Sequence, residues 1–283
     1  MRASTHASYR ARIDRARAWL DEHVLEDVRP ADLAKVAHFS PHHFHRVFRG
    51  VTGESVMECV RRLRLERAAR RLHHSDTSVL NIALESGFGS HEGFTRAFAA
   101  HFGCAPSVFR DQPHPREARS VDMPPLQPAE VELRDVEGIS MTCMGHQGPF
   151  TEAPGVWQDF LGKVSAEGLF DGSQQLVGRY PDDPDITPSE LMRYDVGLLS
   201  PNADPLPPPL FRRKVPGGRW AVAIHEGSYA TLSQTYLRLV GGWFPSTGTP
   251  LGDGPCLEFY LNLPHEVPET ELRTEVWAPV LQA

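Results

Sequence analysis

Five residues recur in register 50 positions apart: Ser40 with Ser90, Phe44 with Phe94, Arg46 with Arg96, Phe48 with Phe98, and Gly53 with Gly103. A serine, two phenylalanines one helical turn apart and a closing glycine describe a short helix punctuated at both ends. The serine hydroxyl is expected to cap free backbone N–H groups, the rings share one face, and glycine ends the helix. A shorter helix, expected over 31–37 and again over 79–86, precedes each copy. Each copy is therefore a helix-turn-helix, and a chain that builds this unit twice is committed to an all-α domain there.

On the second helix of the first copy, Phe44, Val47, Phe48 and Val51 make one face and leave His42, His45, Arg46 and Arg49 on the other. In the later copy Phe94, Ala97, Phe98 and Phe102 face inward, with His91, Glu92, Thr95 and Arg96 expected outward. The outward sets, with Ser40 and Ser90 at the helix starts, are the candidate DNA-reading residues. About seven short helices are expected, one of them long and arginine-rich. Arg61, Arg62, Arg64, Arg67, Arg70 and Arg71 on that helix also read simply as a solvated face. His42, His43 and His45 do not share one face, and no cysteine or acid cluster completes a ligand set, so no metal or cofactor is expected.

Charge separates the halves. Residues 1–120 hold 19 Lys+Arg against 14 Asp+Glu, whereas residues 121–283 hold 10 against 22. A basic half suits a polyanion, and an acidic half suits proteins or cationic small molecules. Between them, residues 111–128 contain five prolines and no apolar periodicity. The expected organisation is a tail over 1–8, a helical domain over 9–112, a Pro-rich linker over 113–128 and a second domain over 129–283. Cys59, Cys104, Cys143 and Cys256 form no spaced pair and read as buried or incidental thiols. The start of the chain lacks an apolar signal core and no stretch is long enough to span a bilayer, so a cytoplasmic protein without membrane contact is expected.

The run from Ala31 to Leu72, and above all G-F-x-S-x-x-x-F-x-R-x-F-x-x-x-F-G-x-x-P from Gly87 to Pro106, resembles the DNA-binding domain of the AraC/XylS family over about 100 residues. The resemblance implies two helix-turn-helix units joined by a rigid linker helix, here 55–72. That helix would set two recognition helices into successive major grooves about 34 Å apart.

Beyond Pro128 eight segments read as strands, and helices are expected only over 154–166 and 232–243. This half repeats too: MTCMGHQGPF and WAVAIHEGSY align His146 with His225, Gly148 with Gly227 and Phe150 with Tyr229 at an offset of 79. A duplicated strand-helix-strand-strand unit predicts an α+β sheet domain with a pocket at the seam between copies. In the strand around Glu258, alternation puts Leu257 and Phe259 on one face and Glu258 with Tyr260 on the other. An acid beside an aromatic suits a cation. The competing reading leaves Glu258 in water and Phe150, Trp157, Tyr229 and Trp243 in the core.

H-Q-G-P-F, Arg193–Asp195, V-P-G-G-R-W-A-V, H-E-G-S-Y, G-G-W-F-P-S-T-G and C-L-E-F-Y-L resemble the GyrI-like effector-binding domain over about 150 residues. That resemblance implies binding of hydrophobic, often cationic or aromatic, molecules over an acid matching Glu258, with Tyr260, Phe150, Trp157, Tyr229 and Trp243 as walls. The chain departs at Ser228, where proline is common, and at Gly241-Gly242 before Trp243. The expected function is a non-enzymatic transcription regulator that binds double-stranded promoter DNA and a small-molecule effector, works with RNA polymerase, and acts as a monomer or homodimer. The alternatives are a GyrI-like hydrolase or sequestering protein with Glu258 as general base, and a DNA-coating protein that takes no ligand.

Overall fold

The computed structural model describes residues 2–112, 126–127, 130–199 and 206–281. It divides into two compact units, one of Met1–Gln112 with Pro205–Phe211, the other of Pro113–Asp204 with Arg212–Ala283. Most of the Pro-rich linker lies outside the described residues; Leu126 and Gln127 are within them. Among the described residues no helix is long and apolar enough to cross a membrane.

The first unit is built of seven helices among the described residues: α1 (Arg2–His23), α2 (Pro30–Val36), α3 (Pro41–Thr52), α4 (Val56–His74), α5 (Val79–Glu85), α6 (His91–Phe102) and α7 (Pro106–Asp111). Residues 2–8, expected as a tail, continue α1. Prolines open α2, α3 and α7, where the missing N–H has no helical partner in any case. Gly53 and Gly103 end α3 and α6 in the left-handed conformation, which explains their recurrence. Ser90 caps as expected by accepting from the Gly93 N–H at 3.1 Å. Ser40 does not: it holds the N-cap backbone conformation but makes no side-chain cap hydrogen bond, and Pro41 has already removed one free donor. Ser55 and Glu58 close a reciprocal box at the start of α4. Leu20, Leu33, Phe44, Phe48 and Val60 form the core of the first half, and Ile82, Phe94 and Phe98 are fully buried in the second.

The second unit is one eight-stranded sheet: β1 (Val131–Val136), β2 (Ile139–Gln147), β3 (Leu176–Tyr180), β4 (Arg193–Leu199), β5 (Phe211–Val215), β6 (Gly218–Glu226), β7 (Cys256–Tyr260) and β8 (Arg273–Pro279). Their order is β1-β6-β8-β7-β3-β4-β2-β5. Each repeat is longer than the strand-helix-strand-strand unit read from sequence, because β1 and β5 are also equivalent. These leading strands are exchanged: β1 pairs with β6 of the other copy and β5 lies beside β2.

Two helices cover one face. Helix α8 (Ala153–Ala166) packs on β2 and β4, and α9 (Leu232–Arg238) packs on β6. The central strands β3 and β7 lie between them. The helix expected over 232–243 changes to a π-helical turn at Leu239–Trp243, where Gly241 and Gly242 relieve crowding, before a last short helix α10 (Phe244–Thr247). Leu126 is buried under this turn with Leu239 and Val240, and its N–H donates to the Arg238 carbonyl at 3.5 Å.

Candidate DNA-reading surface and effector cleft

On α3, His42, His45, Arg46 and Arg49 are exposed while Phe44 and Phe48 are buried. On α6, His91, Glu92 and Arg96 are exposed. Thr95 departs from the expected set: it is half-buried, and its hydroxyl is enclosed without a hydrogen-bond partner, so it does not face outward. One turn further along the helix Phe98 occupies the core, and Thr95 sits at the margin of that buried stripe.

The arginines of α4 are not one solvated face. Arg62 is 6% exposed and pairs with Glu54 at 2.6 Å and Glu66 at 3.2 Å. Burial alone would lower its pKa, but the two carboxylates outweigh that and raise it. Arg71 pairs with Glu85, and Arg64 donates to the Val24 and Gly87 carbonyls, which precede and follow the helix in sequence. Several α4 arginines thus hold the domain together, and the exposed candidate readers belong to α3 and α6.

In the sheet domain, register decides which side chains meet. Glu258 on β7 lies directly opposite Gly178 on β3, and Tyr260 opposite Leu176. The helix-covered face therefore carries Glu258, Tyr260 and Tyr180 together, as strand alternation predicts. Glu258 is 5% exposed. One carboxylate oxygen accepts from Tyr236 of α9 at 3.0 Å, the other from Tyr260 at 2.7 Å, and the Tyr180 and Tyr260 hydroxyls meet at 3.1 Å. Burial pushes the Glu258 carboxyl above the usual carboxylate range, against the hydroxyl bonds that favour its charged form. Burial, and then the Glu258 charge, push Tyr180, Tyr236 and Tyr260 far up, and move Tyr229 to about 12. These hydroxyls stay protonated and act as donors.

Two aromatic edges bracket Tyr260: Trp157 of α8 at 5.1 Å and Tyr229 at 5.4 Å between ring centroids, both nearly perpendicular to it. Glu258, Tyr260, Trp157 and Tyr229 are thus brought together as the sequence suggested. Phe150 lies to one side on Tyr180 and Tyr194, 39% exposed. Trp243 does not join them: it is 4% exposed inside the core formed by Leu239, Val240, Phe244 and Ala223. The π-helical turn that follows α9 carries its indole into that core.

Tyr180 and Tyr236 were missed by sequence reasoning. Tyr180 had a signal: it precedes Tyr260 by 80 positions, and Pro184, Pro188 and Arg193 recur as Pro264, Pro268 and Arg273 at the same offset. Gly178 makes room for it, because a Cβ there would stand 2.7 Å from the Tyr180 ring. Tyr236 had no comparable signal.

Residues 129–281 match the family described as GyrI-like small molecule binding domain, and residues 33–112 match a family described as helix-turn-helix domain. The chain is 37% identical over 95 residues to the Probable transcription factor PqrA of Proteus vulgaris, covering 33% of this chain and 78% of that one. It is 34% identical over 102 residues to the Uncharacterized HTH-type transcriptional regulator YbfP of Bacillus subtilis, covering 36% of this chain and only 35% of that relative. Across both domains it is 24% identical over 257 residues to the Right origin-binding protein of Escherichia coli K12, covering 86% and 87% of the two chains.

Proposed function

The chain belongs to the AraC-type helix-turn-helix transcription regulators that carry a GyrI-like small molecule binding domain, and on that premise we propose that a hydrophobic cation entering the cleft over Glu258 changes its hold on promoter DNA. The observation that carries this reading is a carboxylate that is almost wholly buried, held by two tyrosine hydroxyls and flanked by Trp157 and Tyr229. Such a charge is costly to desolvate and lacks a basic partner among its hydrogen bonds, so a cation that brings its own apolar surface is its natural complement. Residues 9–112 carry the DNA contacts in this proposal, and residues 129–283 the effector.

His42, His45, Arg46, Arg49, His91, Glu92 and Arg96 read bases or phosphates. Arginine suits guanine N7 and O6, and Glu92 suits a cytosine amino group. RNA polymerase is the expected partner at the promoter, in the cytoplasm, with the protein acting as a monomer or homodimer. Because both oxygens of Glu258 are already engaged by tyrosines, it serves as an anchored charge rather than as a general base, which favours a regulator over a hydrolase.

A second reading, a DNA-coating role without an effector, draws support from the two-domain alignment with the Right origin-binding protein. A thermal-shift series on the full chain separates the two, with aryl phosphonium and aryl ammonium cations set against neutral aromatics. Saturation at a hundred times Kd adds about 2.7 kcal/mol of stability. Cation-selective stabilisation is the expected result. A flat response to every cation defeats the sensor and leaves the coating role.

A further inference from the structure

In the helical unit one guanidinium joins segments that belong to different halves of the repeat. Arg64 lies midway along α4. Its Nε donates to the Val24 carbonyl at 2.7 Å and its Nη2 to the Glu26 carbonyl at 2.7 Å, both in the connection from α1 to α2. Its Nη1 donates to the Gly87 carbonyl at 2.9 Å, in the turn between α5 and α6. The principal packing of α1, α2 and α3 is among themselves and on α4; that of α5, α6 and α7 follows the same pattern. A single helix thus carries both cores, and Arg64 fastens a loop of each half to it.

The two turns differ where the guanidinium passes. The helix-turn-helix turn of the second copy needs a left-handed residue, supplied by Gly87 at φ 77°, and that of the first copy uses His38 at φ 53°. Left-handed backbone alone therefore tolerates a side chain here. At Gly87 a Cβ would stand 2.9 Å from Arg64 Cζ, so a side chain there would have to displace the guanidinium from its carbonyls. Only arginine offers a planar fork that addresses three carbonyls in fixed directions; lysine offers a compact charge on a flexible stem.

We propose that Arg64 is a positioning residue for two-site DNA reading: it fixes how α6 is turned relative to α3, and so sets the half-site spacing the protein accepts. This rests on the DNA-reading function proposed above. One base pair added between half-sites moves the second by about 3.4 Å and about 35° around the duplex, so a rigid pair of helices discriminates sharply between spacings.

The test uses the full chain and the duplex that the wild-type protein selects from a random 24-base-pair library. That duplex is then remade with one or two base pairs inserted or deleted between its half-sites, and once more with a half-site scrambled. Wild type is expected to lose at least tenfold in affinity per base pair of misplacement. Arg64→Gln should lose that preference, with less than threefold difference between spacings, while its affinity for the single half-site changes less than threefold. Arg64→Lys, which keeps the charge and the apolar stem, should behave like Arg64→Gln, and it replaces that variant if circular dichroism finds the glutamine form unfolded. Equal losses on every duplex would make Arg64 a residue of general stability and overturn the proposal. So would a variant that keeps the wild-type spacing profile, or a selected duplex with only one half-site. A wild-type protein indifferent to duplex sequence would remove the DNA-reading function itself, and this inference with it.

Discussion

Replacing Glu258 with glutamine keeps the shape of the cleft floor and deletes its charge. A cation resting on the Tyr260 and Trp157 rings sits within about 6 Å of their centroids, and a separation of about 6 Å from the carboxylate is taken to size the charge pair. At an effective dielectric of about 20 their attraction is about 3 kcal/mol. The ring faces contribute about 0.5–2 kcal/mol whatever residue 258 is. Deleting the charge should therefore cost about 2–3 kcal/mol, roughly thirty- to a hundred-and-fiftyfold in Kd. Calorimetry on the full chain with an aryl quaternary ammonium and its neutral carbon isostere reads this directly. The cation should weaken in Glu258→Gln, and the neutral compound should barely change. Protonation adds a second readout. Because burial raises the carboxyl pKa, cation binding between the ordinary carboxylate value and the raised one must expel a proton. Wild-type affinity should rise with pH through that window, by up to tenfold per unit, and then level; the glutamine variant should be flat. The raised pKa also means that the folded protein holds this proton more tightly than the unfolded chain does. Its contribution to stability is thus present at acid pH and lost as pH rises through the folded value, a slope that the glutamine variant should lack. Equal loss for the charged and neutral ligands, or no loss for either, refutes the reasoning.

Arg46→Ala and Arg96→Ala should each cost about 1–3 kcal/mol on the selected duplex and relax preference at the contacted base pair, with smaller change on random DNA; equal loss on both, by fluorescence anisotropy, would reassign them to phosphates. Gly178→Ala places a Cβ 2.7 Å from the Tyr180 ring. The forced shift should lower stability by about 1–3 kcal/mol in urea melts and weaken cation binding together with it, whereas a wild-type melt and affinity would mean that Tyr180 moves aside freely.

Much of the helical unit was legible because its determinants are local. Phe44, Phe48, Phe94 and Phe98 repeat at helical spacing, and Gly53 and Gly103 recur because each ends a helix left-handed. The place of Arg64 was not legible, since its partners lie 23 to 40 residues away and nothing in an arginine-rich run marks one member as a brace. In the sheet domain, alternation placed Glu258 beside Tyr260, and the registers of β3 and β7 bore it out. Tyr236 arrives from α9 through tertiary packing, which leaves no periodic trace. Trp243 was misread as a wall because an aromatic near a cleft helix looks the same in sequence whether it faces the ligand or the core. The leading strands escaped notice in the duplication because β1 and β5 share little sequence and pair outside their own copies.

The exchange of β1 and β5 bears on where the effector site came from. A chain holding only one repeat would have no place of its own for its leading strand and would need a second molecule to supply one, so the single-repeat ancestor is expected to be a strand-swapped homodimer. In such a dimer every residue beside the two-fold axis occurs twice, and an acid at the floor would face its own copy across paired strands, where two carboxylates cannot both ionise cheaply. In a chain that holds both copies the two positions are free to differ. The two positions now facing each other at the axis hold Glu258 and Gly178. A lone negative charge at the centre of a nearly symmetric sheet is therefore something only a chain holding both copies can have, and the glycine opposite leaves that charge without a like-charged counterpart.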